Sequence, residues 1–491
     1  MSTYLGIDLG TTATKAVIIE PDGTVVARSR VLHADARAIG PGRVDPGAWM
    51  KSVEAACAQL GPVIAKVSAV GLSAHSPTAL LYDRDGTPLA SGLTWDHPDL
   101  PDVVAGLAGS RDGEEAELAG NRVSPATFMI AAYPFFAENE RDALASAVEL
   151  GFVGSWLGRW ITGESALDPT QASYTGAFTS TGGRLRWLSA FLERAGIPQE
   201  RLPRLQGSLT TLGTVHTAAA KRLGVPAGIP VIVGSADTPA ASFALGAAPS
   251  GIPLLLMGTT HVVSNCLDAP DNRALALQRS DVRESRWLIN GVTNGGDALA
   301  AGARLLGLGT GAASVKALVA AASRATPSEA ATAPVFIPHV MPERGPLWLT
   351  EPCTALVGFD AHTSSAAAAR GVLEGVLFVD RMVVDSCVHA DQGELYLSGA
   401  FGDDTAMSQM IADALGREVR VVDESNLSAV GAAGMASEVV EGRRIGLPGS
   451  RAIVPRDQWR EVIDKRWTQF VPIWERTVGR PALEPLAPAD A

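Results

Sequence analysis

The chain has 491 residues, of which 46% are hydrophobic and 19% charged, and its formal net charge is −12. This length exceeds what one hydrophobic core supports, so we expect at least two domains, and the composition is typical of globular proteins. The acidic balance argues against nucleic acid or an anionic membrane as the main partner, because both carry negative charge.

No basic run followed by an apolar segment opens the chain, and apolar runs such as IPLLLM are too short to span a bilayer. The four cysteines are widely separated and form no CxxC pair, which favours a reducing compartment and no zinc site. We therefore expect a cytoplasmic protein without a membrane segment. Whether it forms a homodimer is left open.

The N-terminal pattern predicts three strands, over 4–9, 15–19 and 24–31. A helix is predicted over 46–60, because Asp45 is suited to its N-cap and Pro46 to its first position. A strand in VSAVGLSA and a hairpin around the DG turn at 85–86 follow, and the region from about 100 to 225 is predicted to be mostly helical.

The segment IDLGTTATK, over 7–15, joins the first two predicted strands. It places the carboxylate of Asp8 beside the backbone of Gly10 and the hydroxyls of Thr11 and Thr12. Glycine lets the backbone approach a phosphate, successive N–H groups bind anions, and a carboxylate can hold hydrated Mg²⁺. A plain hairpin with a polar tip is the alternative.

The same pattern returns in IPLLLMGTTHVVSNCL, where Gly258, Thr259 and Thr260 lie between two apolar runs. Gly10 and Gly258 are 248 positions apart, about half of the chain. This repeat indicates a duplicated domain. We expect an N-terminal domain over 1–247 and a C-terminal domain over 248–491, with one phosphate chain held between the two hairpins.

Asp237 follows the apolar strand predicted within GIPVIVGSAD. Thr238 is expected to cap the next helix and Pro239 to occupy its first position. The positive end of a helix dipole favours an ionised carboxylate, which a general base requires. The alternative is that Asp237 is only a helix cap.

Other polar groups also stand at predicted strand ends. His75 and Ser76 follow a strand, and Trp95 and Asp96 end a hairpin, an arrangement suited to a hydroxyl-rich ligand. The turn SGAFGDD, over 398–404, leads from a strand into a helix and could admit a base or ribose. Each feature taken alone is more typical of an ordinary loop or connection than of a binding site.

Together these motifs resemble the FGGY carbohydrate kinases, the group that includes xylulokinase, gluconokinase and glycerol kinase. The resemblance runs from Tyr4 to about Glu438. It rests on GIDLGTTATKAVI, GLSAHSPTALLYDRDGTPLASGLTW, GIPVIVGSADTPAASFALGA, LMGTTHVV, FIPHVMPERGPLW and SGAFGDDTAMSQMIADALG. The family implies an α/β fold of two actin-like (ribonuclease-H-like) domains with a catalytic cleft between them.

The resemblance also implies roles for single residues. Asp237 would be the catalytic base, and Asp8 would lie by Mg²⁺ and the γ-phosphate, with both carboxylates near the metal. The phosphates of ATP would contact Gly10, Thr11, Thr12, Gly258, Thr259 and Thr260. The adenosine side would be lined by Gly295, Gly296, Gly399, Ala400 and Asp404. The carbohydrate would contact His75, Ser76, Trp95, Asp96, Asp237 and Thr238.

The chain departs from familiar members around the carbohydrate. Xylulokinases usually have Gln-Met-His where this chain has His75-Ser76-Pro77, and an amide often stands at the position of Thr238. The resemblance therefore implies an ATP-dependent kinase of a small ketose, polyol or sugar acid, with D-xylulose not its best substrate. Two alternatives are an actin- or Hsp70-like ATPase that binds a protein, and a sugar-binding regulatory protein without activity.

Overall fold

The computed structural model describes residues 2–33, 39–246, 252–273, 275–389, 392–399 and 404–486. The described residues form two large β-sheets, each flanked by helices, and two smaller sheets. The N-terminal strands are β1 Tyr4–Leu9, β2 Ala13–Ile19, β3 Val25–Leu32, β4 Arg43–Val44, β5 Ala69–Ala74, β6 Thr78–Tyr82, β7 Gly92–Thr94, β8 Glu149–Phe152, β9 Thr211–Thr214 and β10 Pro230–Ala236.

The helices of this part begin with α1, where the Asp45 side chain accepts from the Gly47 N–H as predicted. They are α1 Pro46–Gln59, α2 Leu100–Ala108, α3 Gly113–Ala119, α4 Ala132–Asn139, α5 Arg141–Ser146, α6 Val153–Thr162, α7 Pro169–Ala172, α8 Ser189–Arg194, α9 Thr217–Leu223 and α10 Asp237–Ala244. Short 3₁₀ turns occur at Gly61–Lys66, Pro125–Thr127, Met129–Ala131 and Gln199–Arg201.

The C-terminal part contains the second large sheet. Its strands are β11 Leu254–Met257, β12 His261–Leu267, β13 Leu277–Ser280, β14 Trp287–Thr293, β15 Val335–His339, β16 Cys353–Val357, β17 Leu395–Gly399, β18 Val419–Val422 and β19 Ser450–Ile453. Its helices are α11 Gly295–Leu305, α12 Ala312–Ala322, α13 Pro327–Ala331, α14 Ser365–Cys387, α15 Thr405–Leu415, α16 Leu427–Glu441 and α17 Asp457–Val478. Helix α14 is buried along most of its length.

The two large sheets share one design. The first has the order β3-β2-β1-β5-β10-β9 and the second β13-β14-β12-β11-β17-β18-β19. In each, antiparallel strands lead to a parallel set, β1, β5 and β10 in the first and β11, β17 and β18 in the second. The repeated Gly-Thr-Thr segments lie in equivalent hairpins, β1–β2 and β11–β12, as the sequence predicted.

Helix α16 lies directly on the first sheet although it follows the strands of the second. A Cβ on Gly6 would lie 1.9 Å from the carbonyl oxygen of Ala429, and one on Gly71 would lie 1.8 Å from that of Ala432. Only glycine permits such a close approach of strand and helix. The small residues of α16 therefore tie the two parts together. The expected division at 247/248 lies outside the described residues and stays a prediction.

Candidate active site

The three parallel strands of the first sheet, β1, β5 and β10, have their carboxyl ends on the same side of the sheet. We call this side the acidic edge. Asp8 pairs with Ser73 across β1 and β5, and Ala236 pairs with Ala74 across β10 and β5. Asp237 follows β10 at once as the first residue of α10. Parallel alignment thus brings the ends of β1 and β10 together although their residues are far apart in sequence.

Asp8 is buried and held on both oxygens. The Ser73 hydroxyl donates to Oδ1 at 2.9 Å, and the Lys15 ammonium lies 3.2 Å from Oδ2. Lys15 faces Asp8 directly across the β1–β2 pair. The carboxylate is therefore fixed in position and partly neutralised, which suits a group that must stay next to charged phosphates.

The start of α10 differs from the prediction. The helix begins at Asp237 with Ala236 as its N-cap, so Thr238 is the second helical residue rather than the cap. The Thr238 N–H donates to Asp237 Oδ1 at 2.7 Å. Burial raises the pKa of the Asp237 carboxyl, and the negative charge of Asp8 raises it further, whereas the positive charges of Arg279 and Lys15 oppose the rise. These two carboxylates are thus electrostatically coupled.

The hairpin between β1 and β2, residues 10–12, is the first hairpin. It closes with a bond from the Gly10 N–H to the Ala13 carbonyl at 3.1 Å, and both Thr11 and Thr12 are exposed. His33 lies 2.9 Å from the Gly10 carbonyl through Nε2 and holds this turn from behind. The exposed hydroxyls and backbone remain accessible to a ligand.

The hairpin between β11 and β12, residues 258–260, is the second hairpin. The Gly258 N–H donates to the Thr260 carbonyl at 3.0 Å, and Thr259 is exposed. The start of α11 packs on this turn, because a Cβ on Gly296 would lie 2.1 Å from the Gly258 carbonyl oxygen. The positive end of an 11-residue helix thus lies against the second hairpin.

Gly295 has a separate packing role, since its Cβ would lie 2.1 Å from the imidazole of His261. His261 is buried, and its Nδ1 lies 2.7 Å from Asp380, which also accepts from the Thr293 hydroxyl at 2.9 Å. This buried group supports the second hairpin from below. The predicted adenosine contacts of the two glycines stay a prediction.

Four of the predicted residues line one pocket next to the first hairpin. These are Thr11, His75, Ser76 and Trp95. His75 is buried and fixed by a 2.9 Å contact from Nδ1 to the Leu9 carbonyl and by the edge of Trp49 at 5.0 Å. The structure therefore brings the proposed carbohydrate residues to the same end of the sheet as Asp8.

The remaining predicted residues are placed differently. Asp96 is exposed and accepts from the Thr94 hydroxyl, and it does not line that pocket. Asp404 caps α15 by accepting from the Met407 N–H at 3.0 Å. Gly399 ends β17 with a φ of +113° and packs on Met257. Ala400 lies outside the described residues.

Sequence reasoning missed several residues of the site. Lys15 and Ser73 are the partners of Asp8, and Lys15 could have been found from its antiparallel register with Asp8. Arg279, on β13, lies with its guanidinium 3.8 Å from the ring centre of Tyr174. Arg344 lies 4.9 Å from the ring centre of Trp95. Nothing in the local sequence around either arginine indicates this convergence.

The donor set fits Mg²⁺ bound together with phosphates. Within the described part of the chain, no three His, Cys, Asp or Glu side chains cluster as a metal site. Asp8 and Asp237, coupled at the acidic edge, offer the carboxylate oxygens that Mg²⁺ prefers, and this ion is commonly bound by one or two carboxylates plus substrate phosphates. The site is therefore suited to a metal that arrives with a nucleotide.

Both halves of the chain match domain models of one protein family. The N-terminal domain model of the FGGY family of carbohydrate kinases matches residues 3–244, and its C-terminal domain model matches residues 255–438. The chain belongs to the FGGY family of carbohydrate kinases. As a member of this family it is an ATP-dependent carbohydrate kinase, and the predicted family and enzyme class are confirmed.

Relatives and structures agree over most of the chain. It is 25% identical to a xylulose kinase of Klebsiella pneumoniae, covering 96% of each protein, and 23% identical to a gluconokinase of Bacillus subtilis, covering 88% of this chain and 86% of that one. It superposes on a gluconate kinase of Lactobacillus acidophilus with a TM-score of 0.85 at 19% identity, covering 97% and 99% of the two chains.

A Plasmodium falciparum glycerol kinase with ADP gives a TM-score of 0.80 at 17% identity, covering 97% of this chain and 98% of that one. These likenesses confirm the predicted two-domain actin-like α/β fold. In the described parts of this FGGY kinase, every helix is too short or too polar to cross a bilayer.

Proposed function

We propose that this FGGY kinase transfers the γ-phosphoryl group of ATP to a hydroxyl of a small carbohydrate, with Asp237 as the general base. The observation that carries the proposal is the meeting of Asp237 and Asp8 at the acidic edge, the same end of the sheet as the first hairpin and the pocket lined by His75 and Trp95. A base, a phosphate loop and a carbohydrate pocket are the parts that such a reaction needs.

In the proposed reaction the carbohydrate hydroxyl lies near Asp237, which accepts its proton as the oxygen forms a bond to phosphorus and the bond to ADP breaks. Because the pKa of Asp237 is raised, its carboxylate is a stronger base than that of an ordinary aspartate. The amide N–H that Thr238 donates keeps Asp237 in a fixed orientation.

The two hairpins hold the triphosphate from opposite sides through Gly10, Thr11, Thr12, Gly258, Thr259 and Thr260. Asp8 and Asp237 would hold Mg²⁺, which when bound neutralises charge on the phosphates. Lys15 keeps Asp8 in place and adds positive charge beside the first hairpin. Gly295, Gly296, Gly399, Ala400 and Asp404 are proposed to line the adenosine side, while His75, Ser76, Trp95, Asp96 and Thr238 contact the carbohydrate.

Asp237→Asn tests the base. Asparagine keeps the shape of the side chain and still accepts from the Thr238 N–H, but it does not take a proton at neutral pH. We expect kcat to fall by ~10²–10⁴-fold with Mg·ATP binding retained. The measurement is ADP release with mass spectrometry of the phosphorylated product, next to calorimetry of nucleotide binding.

Asp457→Asn is the matched control, because Asp457 is likewise the first residue of a helix, α17, and is not one of the proposed site residues. If Asp237→Asn keeps more than about a tenth of the wild-type kcat, Asp237 is not the base. ADP release that no carbohydrate stimulates would instead favour an ATPase of the actin type.

A further inference from the structure

Two arginines approach the carbohydrate side of the site from the C-terminal part of the chain. Arg279 lies on β13, which crosses to the N-terminal part, where the Ser280 N–H donates to the Ser173 hydroxyl at 2.9 Å. Its guanidinium stacks on the neighbouring Tyr174. Arg344 follows β15 and stacks on Trp95, a residue of the carbohydrate pocket.

Arg279 is only 5% exposed, yet its Nε and Nη1 atoms have no hydrogen-bond partner among the described residues. The hydroxyl of Tyr174, which is 3% exposed, has none either. Buried polar atoms are nearly always paired in native proteins. Arg279 and Tyr174 are in contact, so their three unpaired donors lie close together. They indicate a polar ligand that accepts hydrogen bonds.

The charges of Arg279 and Arg344 act on Asp237, the proposed base. Arg279 lowers the pKa of the Asp237 carboxyl and also that of the Arg344 guanidinium, which burial lowers in the first place. Arg344 in turn interacts with Asp237. The two guanidinium groups and Asp237 are therefore close enough for their charges to act on one another, and Arg344 also touches Trp95 of the carbohydrate pocket.

The charged groups next to Arg279 and Arg344 are the carboxylates of Asp237 and Glu343. Lys15 forms an ion pair with Asp8, which leaves Asp237 against Arg279 and Arg344. The charge of Glu343 acts on the neighbouring Arg344, while its carboxylate is held by His339 at 3.0 Å and by the Asn294 N–H at 3.0 Å. Arg283, outside the site, is paired with Glu438 by two bonds of 2.8 Å, and its Nε lacks a partner among the described residues.

We propose that the acceptor of this kinase is an anionic carbohydrate whose carboxylate binds Arg279 and Arg344, with the Tyr174 hydroxyl as a further donor. The proposal rests on the function proposed above. Guanidinium groups match carboxylates with paired N–H donors, and stacking on Tyr174 and Trp95 holds their planes in place. The unpaired N–H donors of the buried Arg279 match the carboxylate of a monoanion such as an aldonate.

The test compares acceptors that differ only in this charge. Short-chain aldonates are assayed against their amides and the corresponding alditols, with D-xylulose as a neutral ketose and aldose phosphates as dianions. We expect the best aldonate to exceed its amide by about 10- to 100-fold in kcat/KM, the range for a hydrogen bond to a charged group. D-Xylulose should fall with the neutral acceptors.

Variants assign the preference to the two arginines. Arg279→Met and Arg344→Met should each collapse the aldonate-to-amide ratio, and Arg279→Lys should keep part of it. Arg222→Met is the matched control, since Arg222 also stacks on an aromatic ring, Trp160, but pairs with Glu54 away from the site. The control should leave the ratio unchanged.

Three results would overturn the proposal. If an amide or alditol has the same kcat/KM as the aldonate, no charge on the acceptor is needed. If an aldose phosphate has a higher kcat/KM than every aldonate, the two arginines bind a phosphate instead of a carboxylate. A fall in kcat that is equal for all acceptors in Arg279→Met assigns this arginine to the phosphoryl group.

Calorimetry separates this proposal from the proposed function. Aldonate binding that depends on Arg279 supports the carboxylate site even if no acceptor is phosphorylated, an outcome that would count against the kinase assignment alone. Turnover of neutral acceptors without aldonate binding would contradict only the carboxylate site.

Discussion

The first and second hairpins have the same backbone design but different chemistry. Counted from Gly10 and Gly258, the position of Asp8 in the first is occupied by Leu256 in the second, and that of Lys15 by Val263. The second hairpin is instead supported by the buried group of His261, Asp380 and Thr293. The repeat thus keeps the same hairpin shape twice, whereas Asp8 and Lys15 have no charged counterparts at the equivalent positions of the second hairpin.

This difference indicates that the two hairpins have different roles in the proposed reaction. The first hairpin lies beside the acidic edge and would act on the transferring group. The second offers backbone donors and the N-terminus of α11, and would mainly hold the nucleotide. Each prediction below tests whether the two hairpins are unequal in this way, from the largest expected effect to the smallest.

Asp8→Ala should lower kcat by roughly 10³-fold, because it removes charge that is fixed beside the transferring phosphoryl group. Aldonate binding, followed by calorimetry, should survive, since the carbohydrate pocket is lined by other residues. Leu256→Ala, at the equivalent position of the second hairpin, should change kcat by less than about tenfold because no charge is lost. Equal losses in the two variants would refute the division.

His261→Ala should act mainly on stability. It removes a partner of the buried Asp380, which costs about 3 kcal/mol in the free energy of unfolding when a buried charge loses its pair. Thermal unfolding measures this loss, and kinetics on the folded enzyme should show a raised KM for ATP with kcat nearly kept. Thr293→Val, which leaves the His261–Asp380 contact intact, should cost less. A large drop in kcat at unchanged stability would instead give His261 a chemical role.

The pH dependence should show a small shift when Arg279 is removed. The base must be ionised, so kcat/KM falls as pH drops through the pKa of Asp237, which burial and Asp8 raise. The positive charge of Arg279 lowers this pKa, and Arg279→Met should therefore move the acid limb to higher pH. Arg222→Met should leave the limb in place. A shift to lower pH in Arg279→Met would contradict the coupling.

The smallest effect concerns the stability of Asp237→Asn. Because the pKa of Asp237 is raised in the folded chain, its ionised form is disfavoured there, and this cost is present at neutral pH and disappears as pH falls through that pKa. The asparagine variant should melt slightly higher than the wild type at neutral pH and equally at acidic pH. A lower melting temperature at neutral pH would show that the Asp237 charge stabilises the fold.

The sequence predicted the strands and hairpins of the site but misplaced the start of one of its helices. The strand that carries Asp8 and the strand that leads to Asp237 were found because apolar runs with polar ends are a local pattern, and both Gly-Thr-Thr hairpins followed from the repeat. The start of α10 was misplaced, since Thr238 and Pro239 form a good local start signal but the backbone turns into the helix at Asp237. The predicted roles of the site residues still await the experiments above.

What the sequence alone determined is the pair of hairpins, which follows from a motif repeated along the chain, and the family with its two-domain actin-like fold, which follows from the resemblance that the motifs carry. Only the tertiary structure joined Lys15 and Ser73 to Asp8, and Arg279 and Arg344 to Tyr174 and Trp95. These contacts arise from strand register and from the meeting of two parts of the chain. Such long-range convergence has no local signal, and here it decides the charge of the pocket.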